Sequence, residues 1–287
     1  MIRISWAVAP HGIHWLMRRS LSLSISGILA CSLLTAHAQP MAKLKPETLE
    51  GFNRYVKNTE ALLQKRRDGK MPALWLYDDP GNRARALNGE IVIERLSNNS
   101  VTPVAGGIIH DWVGAMFIPG VSMEAVLDVL QDFNRHKQIY PEVIDSRLIK
   151  REGNTYWSYL RLKKQKILTV VLDTEHEAHY IQIEPNRWFC RSYSQKISEV
   201  SEPETKNERA LPPGEDHGFL WRLNAYWQLE KVNDGVFVEC RALSLTRDVP
   251  SFVSWIINPI INDLPGDSLK GTLEASRKAV EASRTPK

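Results

Sequence analysis

Several features that would identify a class of protein are scarce in this sequence. It has only three cysteines among 287 residues, which excludes a disulfide-dense scaffold. No apolar run approaches the roughly 20 residues that a membrane-spanning helix requires. The charge is nearly balanced, with 37 basic and 33 acidic side chains, so the signal for a nucleic-acid partner is weak. With 43% hydrophobic residues, the chain can instead build a sizeable buried core.

A short apolar segment near the N terminus has the pattern of a secretory signal peptide. Arg18 and Arg19 precede an apolar stretch that ends at Ala36-His37-Ala38. A positive region, a short apolar region and an A-x-A site together define such a signal. We therefore expect residues 1–38 to be removed and the mature chain to be periplasmic or secreted. Residues 1–16 do not fit the charged region of a signal, so the translation start is Met1 or Met17.

A lipoprotein signal is the alternative interpretation of the same segment. Cys31 follows Ile28-Leu29-Ala30, which resembles the site at which bacterial lipoproteins are cleaved and lipidated. Leu29 is atypical for that motif, and a complete A-x-A site follows it. A soluble exported protein is therefore favoured over one anchored through Cys31.

Removal of the signal changes the overall charge. It takes away three of the 37 basic residues and no acidic residue, which leaves 34 basic against 33 acidic side chains, a net charge of +1. The mature chain then offers no electrostatic reason to expect a nucleic-acid partner.

The order of predicted elements indicates the fold class. A helix over 46–67, an irregular stretch over 70–88 and a short strand over 89–96 form an N-terminal extension, residues 39–104. A strand, two helices, a long antiparallel meander and C-terminal helical segments interrupted at Pro259 follow. This order predicts an α+β fold, in which a curved antiparallel sheet wraps around a long C-terminal helix and can enclose a cavity.

Several short segments resemble the START-like superfamily, also called SRPBCC or helix-grip. These segments are Phe117-Ile118-Pro119-Gly120, Asp132-Phe133, residues 140–146 and residues 245–250. The superfamily includes pollen-allergen-like proteins, lipid-transfer domains and polyketide cyclases, and this chain looks closest to an exported bacterial branch without an established activity. The resemblance implies a ligand-binding domain over residues 105–287, with a cavity for a hydrophobic ligand between sheet and C-terminal helix. It implies no shared catalytic set.

Alternation along the last two predicted strands indicates which side chains face the cavity. In 219–231 the odd positions, including Trp221 and Trp227, are apolar and are expected to face inward. A tight turn continues this face as the even positions of 236–244, among which Cys240 lies. Small residues opposite tryptophans would leave room for a ligand.

The other face of the same hairpin is polar. Glu239 and Arg241 alternate with the small inward residues, so we expect both to lie outside.

His176 is the most informative polar residue of the predicted interior. In 170–180 the even positions, which include His176 and Tyr180, are taken as the inward face. His176 is then either a hydrogen-bonded core histidine or a polar handle for a ligand. His110, on the first strand of the domain, has the same two interpretations.

Neither a metal site nor a cofactor is predicted. His176 and His179 are three residues apart on a strand and point to opposite faces, whereas the zincin motif needs two histidines four apart on one helix face. No nucleophile or second carboxylate lies at an informative spacing, so no catalytic residue is assigned. A cyclase or hydratase that uses His176 or His110 as acid or base remains the alternative to a binding protein.

The two cysteines of the mature chain are expected to be free and buried. Cys190 and Cys240 are predicted to be separated by the strand 219–231, hence ~9.5 Å apart. A disulfide needs Cα atoms within about 4.4–6.8 Å, so a bridge is disfavoured.

The candidate ligand-binding residues are those on the predicted inner faces, with core packing as the competing role for the tryptophans. They are His176, Tyr180, Trp221, Trp227, Cys240, Trp112 and Leu273. The expected partner is a lipid or another hydrophobic small molecule.

Transient contact with a membrane surface is a further possibility, from two segments. Lys163, Lys164 and Lys166 lie at a predicted hairpin tip, and the apolar segment 252–264 precedes the last helix. A solvated turn and ordinary helix packing are the competing interpretations. Oligomeric state is not indicated by the sequence.

The export prediction has a direct test. When the full gene is expressed in a bacterial host, we expect the purified protein to begin at Gln39 by N-terminal mass spectrometry, because the A-x-A site precedes it. A protein that begins at lipidated Cys31 would contradict a soluble mature form, and an unprocessed chain would contradict the signal itself.

Overall fold

The computed structural model describes residues 41–97, 101–165, 169–248 and 251–283, with side chains described in the last segment from residue 263. Gln39–Lys287 forms one compact unit. The predicted signal peptide with Cys31, Lys166 and the side chains of residues 252–262 lie outside this description. Within it, no helix has the length and apolarity needed to cross a membrane.

The helices follow the predicted order with two corrections. They are α1 (Pro46–Arg67), α2 (Pro80–Leu87), α3 (Met123–Gln131), α4 (His136–Ile139) and α5 (Ser251–Ala282), with a 3-10 turn at Trp75–Asp78. The irregular stretch 70–88 therefore contains helical structure, which was missed because eight residues are too short for clear periodicity. Asp79 begins α2 by accepting a hydrogen bond from Gly81 N at 2.7 Å.

The C-terminal helix is continuous, which corrects the second expectation. α5 runs through Pro259 and Pro265 without a break. Each proline removes one backbone hydrogen bond from the helix, and neither ends it.

Most of the strands belong to one large antiparallel sheet. They are β1 (Ala42–Lys43), β2 (Val92–Arg95), β3 (Thr102–Val104), β4 (Gly107–Pro119), β5 (Val143–Glu152), β6 (Thr155–Gln165), β7 (Thr169–Glu184), β8 (Arg187–Ser201), β9 (Arg209–Ala210), β10 (Glu215–Asp216), β11 (Arg222–Val232) and β12 (Gly235–Arg247). The order across the ten-stranded sheet is β2-β4-β12-β11-β8-β7-β6-β5, with β3 on β4 and β9 on β8. β1 and β10 pair separately.

The pairing of β4 with β12 closes the helix-grip arrangement. β4 enters the domain and β12 leaves it, and the two strands are neighbours over their whole length. α5 then lies against β4, and α3 packs on α5. The predicted α+β helix-grip fold is thereby confirmed.

The turn between β11 and β12 has one of the two expected registers. Val232 pairs with Gly235, and Trp227 pairs with Cys240 farther along the hairpin. The odd face of β11 therefore continues as the even face of β12. We call the side of the sheet that carries this face, and that packs against α3 and α5, the grip face.

The opposite, outer face of the sheet is also buried, because the N-terminal extension covers it. Phe52 and Leu63 of α1 pack against Tyr226 and Leu243, and Leu76 of the 3-10 turn lies in a second outer cluster. The extension also adds β2 and β3 to the edge of β4.

Glu239 and Arg241 are consequently not outside, as alternation alone suggested, but beneath the extension. Their exposed fractions are 2% and 9%. Strand alternation separates the two faces of a sheet and cannot tell solvent from a covering helix. Glu239 accepts hydrogen bonds from Leu76 N at 3.2 Å and Gln228 Nε2 at 2.7 Å, and its burial raises the pKa of the carboxyl.

Arg241 forms a bidentate ion pair with Asp111 in the same layer. Arg241 Nε and Nη2 donate to the two carboxylate oxygens at 2.9 and 2.6 Å. Tyr55 of α1 donates to Asp111 Oδ2 at 2.7 Å, so the pair also ties the extension to the sheet. The Asp111 side chain is fully buried.

We expect Arg241→Met to lower the free energy of unfolding by about 3–5 kcal/mol, because it leaves the buried Asp111 carboxylate without its cation. Urea denaturation at pH 7 measures the change. The matched control is Arg161→Met, which breaks a more exposed pair with Glu208 at 2.5 Å and should cost about 1 kcal/mol or less. Equal losses in the two variants would contradict a desolvated role for the Arg241 pair.

Candidate functional site

The grip face brings together six of the seven candidate residues. Cys240, Tyr180 and Leu273 belong to its central cluster, and Trp112 and Trp227 pack against that cluster. His176 is on the same face of β7 as Tyr180, in a strand whose burial alternates regularly from Asp173 to Tyr180. The inward parity of β7, β11 and β12 is thus confirmed.

Trp221 is the exception and lies on the outer side. It belongs to the cluster beneath α1, and its Nε1 donates to Asp216 at 2.9 Å. β11 begins at Arg222, so Trp221 precedes the strand and its side chain does not follow the strand's alternation. Trp221 is removed from the candidate ligand-binding residues.

Small side chains cross the middle of the grip face in one row. Ala178, Ser192, Ala225 and Ala242 are register partners on four neighbouring strands. The last three are only half-buried, as is Trp227, although α3 and α5 cover this side of the sheet. On the outer face of β11, by contrast, Tyr226 is 1% exposed. Accessible surface is therefore retained on the grip face, over small and aromatic side chains.

Helix α5 approaches the sheet most closely at two glycines. A Cβ on Gly114 would lie 2.6 Å from Leu273 Cδ1, and a Cβ on Gly266 would lie 2.7 Å from the Trp112 ring. Trp112 is held between Gly266 and the Arg95 guanidinium, which lies 4.5 Å from the ring centroid. Arg95 also pairs with Asp263 of α5 at 2.6 Å. This end of the grip is therefore fixed by glycine contacts and one ion pair.

The two cysteines flank Trp227, as the meander order predicted. Cys190 and Cys240 each pair with Trp227, from β8 and β12 respectively. Both are free and buried. Burial raises the pKa of the Cys190 thiol to about 12, so it stays protonated and is not a reactive nucleophile at neutral pH.

His176 is an interior histidine whose hydrogen bonding defines its tautomer. Thr174 Oγ1 donates to Leu160 O at 2.9 Å. Its oxygen therefore accepts from His176 Nε2 at 3.1 Å, which leaves Nδ1 as a lone-pair acceptor. Burial, and secondarily the nearby His136, lowers the pKa of His176 to about 4.

His110 repeats this arrangement on β4. Thr246 Oγ1 donates to Arg247 O at 3.3 Å and lies 3.2 Å from His110 Nε2. Nε2 is then the protonated nitrogen, and Nδ1 is a buried acceptor without a partner among the described residues. Burial and the Arg95 charge lower the pKa of His110 to about 4.

His136 is a site residue that the sequence did not reveal. It begins the short α4, between Arg135 and Lys137, where no apolar pattern marks it as interior. Its ring packs between Phe133 and Tyr140, at centroid distances of 4.8 and 5.0 Å. Burial lowers its pKa to about 4, opposed by hydrogen bonds to the backbone of Leu130 and Val129. Nε2 is buried without a partner in the described part of the chain, so it is the acceptor nitrogen.

Tyrosine hydroxyls link the helices to the same face. Tyr180 donates to Leu130 O at the end of α3 at 3.2 Å, and Tyr140 and Ser276 of α5 lie 3.2 Å apart through their oxygens. Tyr156 donates to Gln131 at 2.8 Å. These bonds occupy the tyrosine protons, so the hydroxyls serve mainly to position α3 and α5.

The unprotonated ring nitrogens of the histidines are suited to accept hydrogen bonds. With pKa values of about 4, all three are uncharged at neutral pH and cannot act as general acids there. The hydrogen-bond partners of His176 and His110 are threonine hydroxyls.

His179 lies on the opposite face of β7 from His176 and contacts Thr155 Oγ1 at 2.8 Å, so the two histidines cannot bind the same metal ion.

The two described lysines of the predicted basic hairpin tip, Lys163 and Lys164, are both paired with acidic side chains. Lys163 Nζ pairs with Glu204 at 2.5 Å. Lys164 pairs with Glu142, and its Nζ lies 2.9 Å from Ser268 Oγ of α5. These two lysines tie the tip to neighbouring segments, and a role in membrane contact stays a prediction.

The strand order β4-β12-β11-β8-β7-β6-β5, with α5 laid across it, decides the fold type. The chain has the helix-grip fold that the START-like resemblance implied. No protein-family model matches the sequence, and no curated protein matches it.

Comparison with solved structures finds chains of similar architecture at low sequence identity. A protein of Thermus thermophilus is 15% identical with a TM-score of 0.44, covering 60% of this chain and 98% of its own. A STAR-related lipid transfer protein of Xanthomonas axonopodis is 19% identical with a TM-score of 0.43, covering 63% and 97%. Human STARD10 is 16% identical with a TM-score of 0.41, covering 72% and 82%. Likenesses at this level extend to the fold alone.

The three interior histidines predict a steep pH dependence of stability. Their pKa values are about 4 when folded and near 6.5 when unfolded, so the unfolded chain binds more protons between those values. Stability should therefore be greatest above pH 6.5 and fall as the pH drops toward 4. Each histidine contributes a slope of about 1.4 kcal/mol per pH unit.

Urea denaturation between pH 7 and pH 4.5 tests this expectation. His176→Gln should reduce the slope by about 1.4 kcal/mol per pH unit. The same two proteins should have parallel curves between pH 7.5 and 8.5, where no histidine titrates. An unchanged acid slope in the variant would show that His176 protonates as readily when folded as when unfolded.

Proposed function

We propose that this protein is an exported carrier that binds a lipid or another hydrophobic small molecule between the grip face and α5. The observation that carries the proposal is the accessible surface of the grip face. Ser192, Ala225, Ala242 and Trp227 remain half-buried under two helices, whereas Tyr226, Leu243 and Leu245 on the outer face of β11 and β12 are buried under the extension. Small residues beside aromatic ones are typical of the lining of an apolar ligand site.

The charge of the described lining supports a hydrophobic ligand. Two of its basic groups near α5 are paired with carboxylates, Arg95 with Asp263 and Lys164 with Glu142, and Arg277 of α5 donates to the backbone oxygen of Gly89 at 2.7 Å. The interior polar side chains are hydroxyls and unprotonated histidines. A ligand that carried a full charge into this region would lose its hydration without gaining a counter-ion, which costs several kcal/mol.

Binding of a neutral fluorescent probe tests the carrier function. We expect N-phenylnaphthylamine to bind the purified mature protein with enhanced emission, and organic extraction followed by mass spectrometry to recover a co-purifying hydrophobic compound. Ala225→Phe should weaken probe binding about tenfold or more, because the larger ring occupies the space above the small row.

The matched control is Ala61→Phe, the same substitution at an exposed position of α1. It should leave probe affinity unchanged. Circular dichroism establishes that both variants are folded. Failure of the wild-type protein to bind the probe, or equal affinities in the two variants, would contradict a binding site on the grip face.

A further inference from the structure

Polar side chains cross the grip face in a single transverse row, one strand position beyond the small residues. Ser158 pairs with His176 and His176 with Ser194. The row continues from Ser194 to Leu223, whose N donates to Ser194 Oγ at 3.0 Å. Leu223 then pairs with Ser244.

The row ends on the strands next to α5. Ser244 pairs with His110 on β4. Arg95 pairs with Trp112, and beyond the end of β2 Leu96 N donates to Asp111 O at 2.9 Å, so the backbone of β2 continues beside β4 toward Ser97 and His110. We call Ser158, His176, Ser194, Ser244, His110 and Ser97 the polar row. Periodic strand burial explains apolar side chains at these positions, but not a line of hydroxyls and imidazoles.

Several polar atoms of the row and its surroundings have no hydrogen-bond partner among the described residues. They include Ser158 Oγ, Ser97 Oγ, His110 Nδ1 and His136 Nε2. The exposed fractions of Ser158 and His110 are 0% and 1%. Leaving a buried polar atom unpaired costs about 1–3 kcal/mol, so such atoms are retained where something bound can satisfy them.

The histidines have in common that they offer acceptors only. In His176 and His110 the protonated nitrogen is used by a threonine, and in His136 it is used by the backbone. The remaining nitrogen of each ring carries a lone pair. A carboxylate, ketone or ether oxygen placed there would meet another acceptor, whereas a hydroxyl can donate to it.

The strongest convergence lies at the end of the row near α4. Ser158 is the direct register partner of His176. His136 begins α4, whose next residue, Lys137, donates through its backbone N to Ser146 Oγ at 2.9 Å, and Ser146 pairs with Leu160, two residues from Ser158 on β6. His136 Nε2 and Ser158 Oγ, which have no partner among the described residues, therefore lie on the same part of the grip face as His176, next to the apolar lining.

Resting on the proposed carrier function, we infer that the bound ligand is an uncharged amphipathic alcohol. Its hydroxyl donates a hydrogen bond to a ring nitrogen of the His136–His176 pair and accepts one from Ser158, while its apolar body lies over the row of small residues.

A series of competitors with the same chain tests the inference in the wild-type protein. Displacement of N-phenylnaphthylamine is measured with dodecanol, dodecanone, tridecane and dodecanoate. We expect dodecanol to compete about fivefold to tenfold better than dodecanone or tridecane, the equivalent of one buried hydrogen bond. Dodecanoate should be the weakest competitor because its charge is buried without a partner.

Variants locate the preference. His176→Phe should abolish the advantage of dodecanol over dodecanone, measured as the ratio of their affinities within that variant, and His176→Asn should restore part of it by supplying an amide oxygen. His179→Phe, the same substitution on the opposite face of β7, should leave the advantage unchanged. Ser158→Ala gives a second variant that removes a hydroxyl with little change in packing, and it should reduce the advantage.

The possible outcomes distinguish a failure of the alcohol specificity from a failure of the proposed carrier function. If the probe binds and dodecanol, dodecanone and tridecane compete equally, the carrier function stands and the alcohol specificity is wrong. A wild-type preference for dodecanoate, or a preference for dodecanol that persists in both His176→Phe and Ser158→Ala, would also overturn it. If the probe does not bind at all, the proposed function fails and the inference fails with it.

Discussion

The pairing of β4 with β12 is the constraint on which the remaining architecture depends. It joins the beginning of the domain to its end, and so places the first and last long strands side by side, second and third in the strand order. Both strands bury side chains on their two faces. α5 follows β12 directly and covers one of them, so the other has to be covered from elsewhere in the chain. The N-terminal extension does this, through α1 and the 3-10 turn, and adds β2 to the free edge of β4.

The layer beneath the N-terminal extension and the layer beneath α3 and α5 differ in packing and in how their polar groups are satisfied. This difference distinguishes a structural layer from a ligand-binding layer. Beneath the extension, aromatic and aliphatic side chains are tightly buried, and the Arg241–Asp111 ion pair and Glu239 are fully hydrogen-bonded. Beneath α3 and α5, small residues leave accessible surface, and several polar atoms lack partners within the described chain. A layer that only stabilises the fold satisfies its polar groups internally, whereas a layer that binds a ligand keeps some of them unsatisfied. The grip face is of the ligand-binding kind, because some of its polar groups are unsatisfied within the described chain.

Much of the fold could be derived from the residues alone. The bounds of α1, the continuity of the inner face across the β11–β12 hairpin and the inward parity of β7 follow from local periodicity, which depends only on which neighbours along the chain are apolar. The separation of the two thiols follows from the inferred order of the meander. Trp221 is an exception, because it lies one residue before β11. Strand alternation does not predict the orientation of a side chain outside a strand. The same limit applies to α2, which is too short to show a helical period. Pro259 shows the converse, because a local helix-breaking signal is overridden within α5.

By itself, the sequence determined the α+β class, the order of the elements and the inner faces of the strands, because these are properties of short stretches of chain. Only the tertiary structure decided that Glu239 and Arg241 are buried, since a polar alternating face is the same pattern whether water or a covering helix lies beyond it. The tertiary structure also revealed His136, which lies among charged neighbours in the chain and is interior only because α4 turns it toward Phe133 and Tyr140. The polar row was likewise revealed only by the tertiary structure. Its members are far apart in sequence, and the strand register alone brings them into line across the grip face.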